Sequence, residues 1–248
     1  MGVLIVKGRK CSPFPYKIMP LNEYAVTIEL GDQIDEIIHQ RVKRLNDALE
    51  ERAFLGLVEI VMTYTTLTVF YDPTLIAKAG NEFPYSFVCS YIKDLIESLD
   101  DRSPTLPNLV EIPVCYGGEY GPDLDEVAKF HGLSLEEVIQ IHSEPSYLVY
   151  MIGFAPGFPY LGGMSAEIAT PRKHTPSLSI PIGSVGIAGS QTGIYPISTP
   201  GGWHIIGRTP LTLFDSKKSP PSLLQAGDRV RFRPISKEQY IQWKEGKR

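Results

Sequence analysis

Five polar side chains stand among glycines in one stretch of the chain: Arg172 in Ala169-Thr-Pro-Arg172, Gln191, Thr192 and Tyr195 in Ala188-Gly-Ser-Gln-Thr-Gly-Ile-Tyr-Pro196, and Arg208 in Pro200-Gly-Gly-Trp-His-Ile-Ile-Gly-Arg-Thr-Pro210. A guanidinium is planar and permanently charged. An arginine fork beside the N–H groups of residues such as Gly189 and Gly193 would therefore receive a carboxylate or phosphate. A preceding phrase, Gly153-Phe-Ala-Pro-Gly-Phe-Pro-Tyr-Leu-Gly-Gly163, adds Phe158 and Tyr160. With Phe154 and Trp203, these rings either wall a ligand or pin a loop by packing. Between Gly153 and Gly207 lie 11 of the 22 glycines, and turn chemistry is the plain alternative, because a small barrel needs positive-φ corners.

Of the five histidines, His142 is the one placed to handle a proton, near the end of a helix and just before a strand. Its alternative is an imidazole bonded to carbonyls at the helix C-terminus. Glu119 and Asp123 flank Gly121-Pro122, where a carboxylate either does acid/base work or caps the next helix. His39, His131, His174 and His204 are scattered with no cysteine at ligand spacing, so no protein-bound metal is expected. Gly183-Ser-Val-Gly-Ile-Ala-Gly-Ser190 has the glycines of a phosphate loop without its lysine.

Two domains are needed to position these residues. Tyr24–Leu30 alternates as a strand, Gln33–Arg52 carries one apolar stripe (Ile34, Ile37, Ile38, Val42, Leu45, Leu49), and Val58–Thr63 with Leu67–Asp72 reads as a hairpin. Ser86 would cap a helix over Phe87–Leu99. This β-α-β-β-α order predicts a two-layer α+β domain of the split βαβ kind over residues 20–103. The Pro-containing stretch Asp100–Asn108 reads as a linker. A second, mainly β domain over 104–236 would take Val110–Tyr116 and two helices, Asp123–His131, closed by Gly132, and Leu135–His142, opened by the Ser134/Glu137 capping box. Short strands then follow at Tyr147–Phe154, Gly183–Ala188, Ile194–Ile197, Trp203–Ile206, Leu211–Asp215 and Arg229–Arg233, as in an all-β barrel.

The four glycine-rich phrases, with Gly117-Gly-Glu-Tyr-Gly-Pro-Asp-Leu124, resemble those of the family that contains the 5-oxoprolinase B subunit, the sporulation-kinase inhibitor KipI and allophanate hydrolase subunit 1. The likeness runs from Tyr24 to Phe232, and Ser190 departs from it where a second glycine is common. It implies an α+β domain followed by a cyclophilin-like β-barrel. It also implies ATP-dependent opening of 5-oxo-L-proline to L-glutamate, ATP arriving with magnesium, alongside C-like and A-like 5-oxoprolinase partner subunits. In that reaction Arg172 and Arg208 would meet anionic groups. Gln191, Thr192 and Tyr195 would orient polar ones, and Gly189, Gly193, Phe158, Tyr160 and Trp203 would line the substrate or nucleotide. The KipI branch implies a different partner, a sensor histidine kinase, and the remaining branch an allophanate hydrolase or urea carboxylase-related role. Prolyl isomerisation would rest on barrel shape alone, which does not transfer function.

Bulk composition narrows the partners. With 24 basic and 28 acidic residues the formal charge is −4, which gives no electrostatic footprint for nucleic acid or an anionic membrane. Cys11, Cys89 and Cys115 form neither a CxxC pair nor a disulfide framework, and the short apolar start before Lys7 is no signal peptide. The expectation is a soluble cytoplasmic protein.

Overall fold

The structure is a computed structural model that describes residues 6–7, 13–99 and 107–246. The chain divides into two compact units, Met1–Leu106 and Pro107–Arg248. Cys11 and most of the expected linker lie outside the described residues.

The first unit contains β1 (Val6–Lys7), β2 (Lys17–Asn22), β3 (Ala25–Glu29), α1 (Glu36–Glu51), β4 (Leu57–Met62), β5 (Thr66–Tyr71), α2 (Pro73–Lys78) and α3 (Pro84–Ser98). Its five-stranded sheet runs in the order β1-β2-β3-β5-β4. Both β3 and β4 are antiparallel to β5, so they are parallel to each other across it. With α1 as the crossover this is a split βαβ unit. Alternation sends Val26, Ile28, Leu67 and Val69 into one core with Val42, Leu45 and Leu49 of α1 and Val88, Ile92 and Ile96 of α3.

Local chemistry shifts several expected boundaries here. Asp35 caps α1 by accepting the N–H groups of Ile37 and Ile38, which leaves Ile34 before the helix and Ile37 on its exposed side. Pro84 opens α3 at its first turn, ahead of the expected cap at Ser86, because its missing N–H is no loss there. The proline-punctuated leader contains a strand, β2, with Pro20 opposite Val26. Pro20 hides this strand in the sequence, because proline has no N–H to give to a ladder.

The second unit opens with β6 (Leu109–Tyr116), α4 (Leu124–His131), α5 (Leu135–Ser143), β7 (Tyr147–Ile152) and β8 (Pro159–Gly162). After a 3-10 turn at Ala166–Ile168 come β9 (Ser177–Ile180), β10 (Ser184–Ala188), β11 (Gln191–Ile194), β12 (Thr199–Gly201), β13 (His204–Arg208), β14 (Arg229–Pro234) and α6 (Lys237–Lys244). Seven strands close a barrel in the order β10-β11-β8-β7-β14-β6-β13, while β9 and β12 pair separately. Val114, Val149, Leu161, Val185, Ile187, Ile194, Ile206 and Phe232 share its core. The Ser134/Glu137 capping box forms and Gly132 ends α4 in the left-handed conformation, as expected.

Two strands differ from expectation. Gln191–Ile194 replaces Ile194–Ile197, because a two-residue corner at Gly189-Ser190 pairs Ala188 with Gln191 and fixes the register. Leu211–Asp215 forms only an isolated bridge between Phe214 and Ser222.

Candidate functional site

The segment Thr170–Lys173 is pinned at nearly every residue. The Thr170 carbonyl accepts the Gly189 N–H at 2.6 Å, and the Thr170 hydroxyl donates to the Ile168 carbonyl at 3.1 Å while standing 3.2 Å from His131 Nε2. His204 Nε2 donates to the Pro171 carbonyl at 3.0 Å, and the Lys173 N–H donates to the Gly202 carbonyl at 2.8 Å. The Lys173 ammonium donates to Asp123 Oδ1 in a pair only 20% and 12% exposed. From this fixed backbone the Arg172 side chain extends to solvent.

Asp123 takes neither of the roles expected for it. It stands at the N-cap of α4 without a capping bond, and its Oδ2 accepts the Ile205 N–H of β13 at 2.7 Å. The loop before it must lie almost on β13, since a Cβ on Gly121 would sit 2.0 Å from the Ile206 carbonyl oxygen. That close approach explains the Gly117–Leu124 phrase: it brings a carboxylate to β13 and from there to Lys173. Replacing Lys173 by methionine should strand that carboxylate and destabilise the second unit by ~2–3 kcal/mol in urea unfolding. A loss below about 0.5 kcal/mol would mark the pair as an ordinary surface contact.

The Lys173 bond to Gly202 brings this segment toward an aromatic cluster that includes Tyr195, whose hydroxyl would lie 2.6 Å from a Cβ on Gly201. The Phe158 ring centroid is 5.3 Å from Tyr160, 5.5 Å from Tyr195 and 5.7 Å from Trp203, each edge to face. Gly193 makes this packing possible, because a Cβ there would meet Phe158 Cζ at 3.0 Å and Trp203 Cζ3 at 3.1 Å. Burial pushes the Tyr195 hydroxyl up to about 12, and the Arg172 charge opposes that shift. Phe158, Tyr195 and Trp203 are buried and share a core cluster with Ile180 and Ile205, so these three rings pin the loop by packing rather than wall a ligand, and only Tyr160 and Phe154 of the aromatic group reach the surface, as the exposed Arg172 does.

Thr192 and His142 belong elsewhere, inside the unit. His142 is fully buried and stacks on Phe232 at 4.5 Å. Its Nδ1 is 2.8 Å from the Tyr116 hydroxyl, its Nε2 is 2.8 Å from Thr192 Oγ1, and Thr192 in turn donates to the Gly186 carbonyl at 3.1 Å. One proton arrangement satisfies every member: Tyr116 O–H donates to Nδ1, and Nε2–H donates to Thr192. Burial pushes His142 down to about 3, so it stays neutral at physiological pH with both nitrogens engaged. The proton-handling role expected of His142, and the substrate-orienting role expected of Thr192, give way to a buried structural network.

The remaining expected residues disperse. Gly189 turns the β10–β11 corner at φ +58 with its N–H committed to Thr170, so it is not an anion donor. Gln191 begins β11 half-buried, opposite Ala188. Arg208 lies four residues beyond His204 on β13, roughly 13 Å along the strand. Its guanidinium sits 5.7 Å from the Tyr120 ring, which packs on Tyr240 of α6 at 4.4 Å. The structure thus groups Arg172 with Phe158, Tyr160, Tyr195, Trp203 and Gly193, and sets Arg208 against the Tyr120–Tyr240 pair. Glu119 is engaged on the surface by Lys237 at 2.6 Å.

Sequence reasoning missed the Asp123–Lys173 pair, Tyr116 and the setting of Phe154. Charge types at Asp123 and Lys173 were visible; a contact across 50 residues was not. Among the described residues no group of three or more His, Cys, Asp or Glu side chains is placed to hold a metal. No helix among them is long and apolar enough to cross a membrane.

Known proteins resemble this chain in sequence and in fold. The profile described as carboxyltransferase domain, subdomain C and D, matches residues 16–224. The chain is 50% identical over 233 residues to the 5-oxoprolinase B subunit of Bacillus subtilis, covering 93% of this chain and 97% of that protein. It is 44% identical over 221 residues to the 5-oxoprolinase B subunit of Haemophilus influenzae, covering 87% and 96%. A solved structure of a conserved uncharacterized protein from Pyrococcus horikoshii is 47% identical with a TM-score of 0.53, covering 90% of this chain and 99% of that one. The Kluyveromyces lactis urea carboxylase superposes with a TM-score of 0.71 at 19% identity, covering 99% of this chain and 24% of that one. At that identity the likeness speaks for the fold alone.

Proposed function

The chain belongs to the carboxyltransferase domain, subdomain C and D, family, and from that membership we propose that it is the B subunit of an ATP-dependent 5-oxoprolinase. It would open 5-oxo-L-proline to L-glutamate together with an A-like and a C-like partner protein. The observation that carries this reading is 50% identity across 97% of the Bacillus subtilis 5-oxoprolinase B subunit. The geometry beside Arg172 agrees with it, since 5-oxo-L-proline is a small ring bearing one carboxylate.

An unstrained five-membered lactam resists hydrolysis because resonance between its ring nitrogen and carbonyl oxygen makes the carbonyl carbon a poor electrophile. ATP, with magnesium, would supply the phosphoryl group that caps that oxygen and makes the carbon open to attack by water. The glycine run Gly183–Ser190, which lacks a phosphate-loop lysine, does not fit a nucleotide: it is β10 and its flanking turns, paired on both sides with β11 and β13. We therefore assign the nucleotide to a part of the site completed by partner proteins and route no step on this chain through it. What this chain contributes is binding and orientation. Arg172 takes the substrate carboxylate, the part-exposed Tyr160 meets its ring, and the buried Phe158, Tyr195 and Trp203 hold that surface in place, Tyr195 with its hydroxyl protonated at physiological pH. Use of ATP as co-substrate is the ground for assigning the work to the cytoplasm.

Mixing the chain with the A-like and C-like proteins, ATP and 5-oxo-L-proline should yield glutamate only when all three proteins are present. A folded, assembled complex that makes no glutamate would refute the proposal.

A further inference from the structure

Phe154 is the one non-glycine among the described residues with a positive φ, +68°. The Ala155 N–H donates to the Gly153 carbonyl across it at 2.8 Å, which makes Phe154 the apex of a γ-turn of the rare, strained hand. A bulky residue is strained there, and glycine would remove the strain. Burial does not offset it, since Phe154 is 68% exposed. The turn is held from both sides. The Gly153 N–H donates to the Phe158 carbonyl at 3.0 Å and the Phe158 N–H to the Ala155 carbonyl at 2.9 Å. A Cβ at Gly157 would lie 2.8 Å from Phe214 Cβ, so the loop backbone is packed closely on that residue.

The strain has a visible product. It stands the Phe154 ring edge-on against Phe158, with centroids 5.4 Å apart, as the outermost member of the cluster that continues to Tyr195. Strained, exposed and rigidly presented side chains mark ligand clamps. We propose that Phe154 is a substrate-contacting residue that packs on the ring of a small cyclic carboxylate. The identity of that carboxylate as 5-oxo-L-proline rests on the function proposed above.

The test uses the assembled complex and two variants, F154G and F154L. F154G relieves the turn, so its thermal midpoint should equal or exceed that of the unsubstituted chain, with assembly intact. Its KM for 5-oxo-L-proline should rise about tenfold, with kcat changed less than about threefold; F154L should lie between, because it restores apolar surface without the flat face. Calorimetric binding of 5-oxo-L-proline without ATP separates this inference from the reaction itself. Binding weakened about tenfold in F154G, with no glutamate from any complex, keeps the Phe154 contact and refutes the reaction. Equal binding by both proteins, no binding by either, loss of assembly, or a lowered midpoint with parallel loss of kcat each overturns the Phe154 contact.

Discussion

Replacing Arg172 by alanine should lower kcat/KM for 5-oxo-L-proline by ~100-fold in the assembled complex, the loss of one charge-assisted contact to a carboxylate. The fold should not register the change. Thr170, Pro171 and Lys173 anchor that backbone through Gly189, His204 and Gly202, and the Asp123–Lys173 pair ties it to α4 and β13, while the Arg172 side chain is exposed. Exposed substitutions of this kind move stability by no more than about 0.5 kcal/mol. Lysine at the same position keeps the charge without the planar fork, so it should recover only part of the activity. Steady-state kinetics beside a urea titration read both quantities. Full activity in the alanine variant removes Arg172 from the site; an unfolded variant shows that the backbone anchors were misjudged.

Features that depend on a few neighbouring residues were legible in the sequence. The Ser134/Glu137 box, the Gly132 terminus and the β4–β5 hairpin each follow from residues that touch across one turn. A second box at Ser236 and Gln239 obeys the same rule and opens α6, although it went unread. The strands β8, β9 and β12 hold three or four residues each, two of them with proline, and owe their existence to partners rather than propensity.

The site divides in the same way. Phe158, Tyr160, Tyr195 and Trp203 could be grouped because their phrases lie on neighbouring strands and loops of one barrel. The pleat decided otherwise for Thr192: beside Gly193, whose missing Cβ accommodates the aromatic cluster, it points to His142 instead. Arg208 shares β13 with Trp203's neighbour His204, yet strand length carries it to Tyr120 and α6. Residue type suggests equal roles for two arginines; only three-dimensional placement separates them.

His142 yields the second large effect, on stability rather than turnover. Its alanine variant would leave the Tyr116 and Thr192 hydroxyls without their shared partner and open a cavity beside Phe232, costing ~3–5 kcal/mol. The pH dependence of the unsubstituted chain reports the same group. Folded His142 stays neutral down to about 3, whereas its ordinary value is 6.5, so between those values the unfolded chain binds the extra proton. Stability from this group is therefore complete above 6.5 and is lost as the pH falls, by about 2 kcal/mol between pH 7 and pH 5. Both tryptophans, Trp203 and Trp243, lie in the second unit, so intrinsic fluorescence in urea follows the unit that holds His142. The imidazole resonance of His142 should not titrate between pH 5 and 8. A midpoint near 6.5 for that resonance would break the proton arrangement through Tyr116 and Thr192 and return His142 to the set of groups able to exchange a proton during turnover.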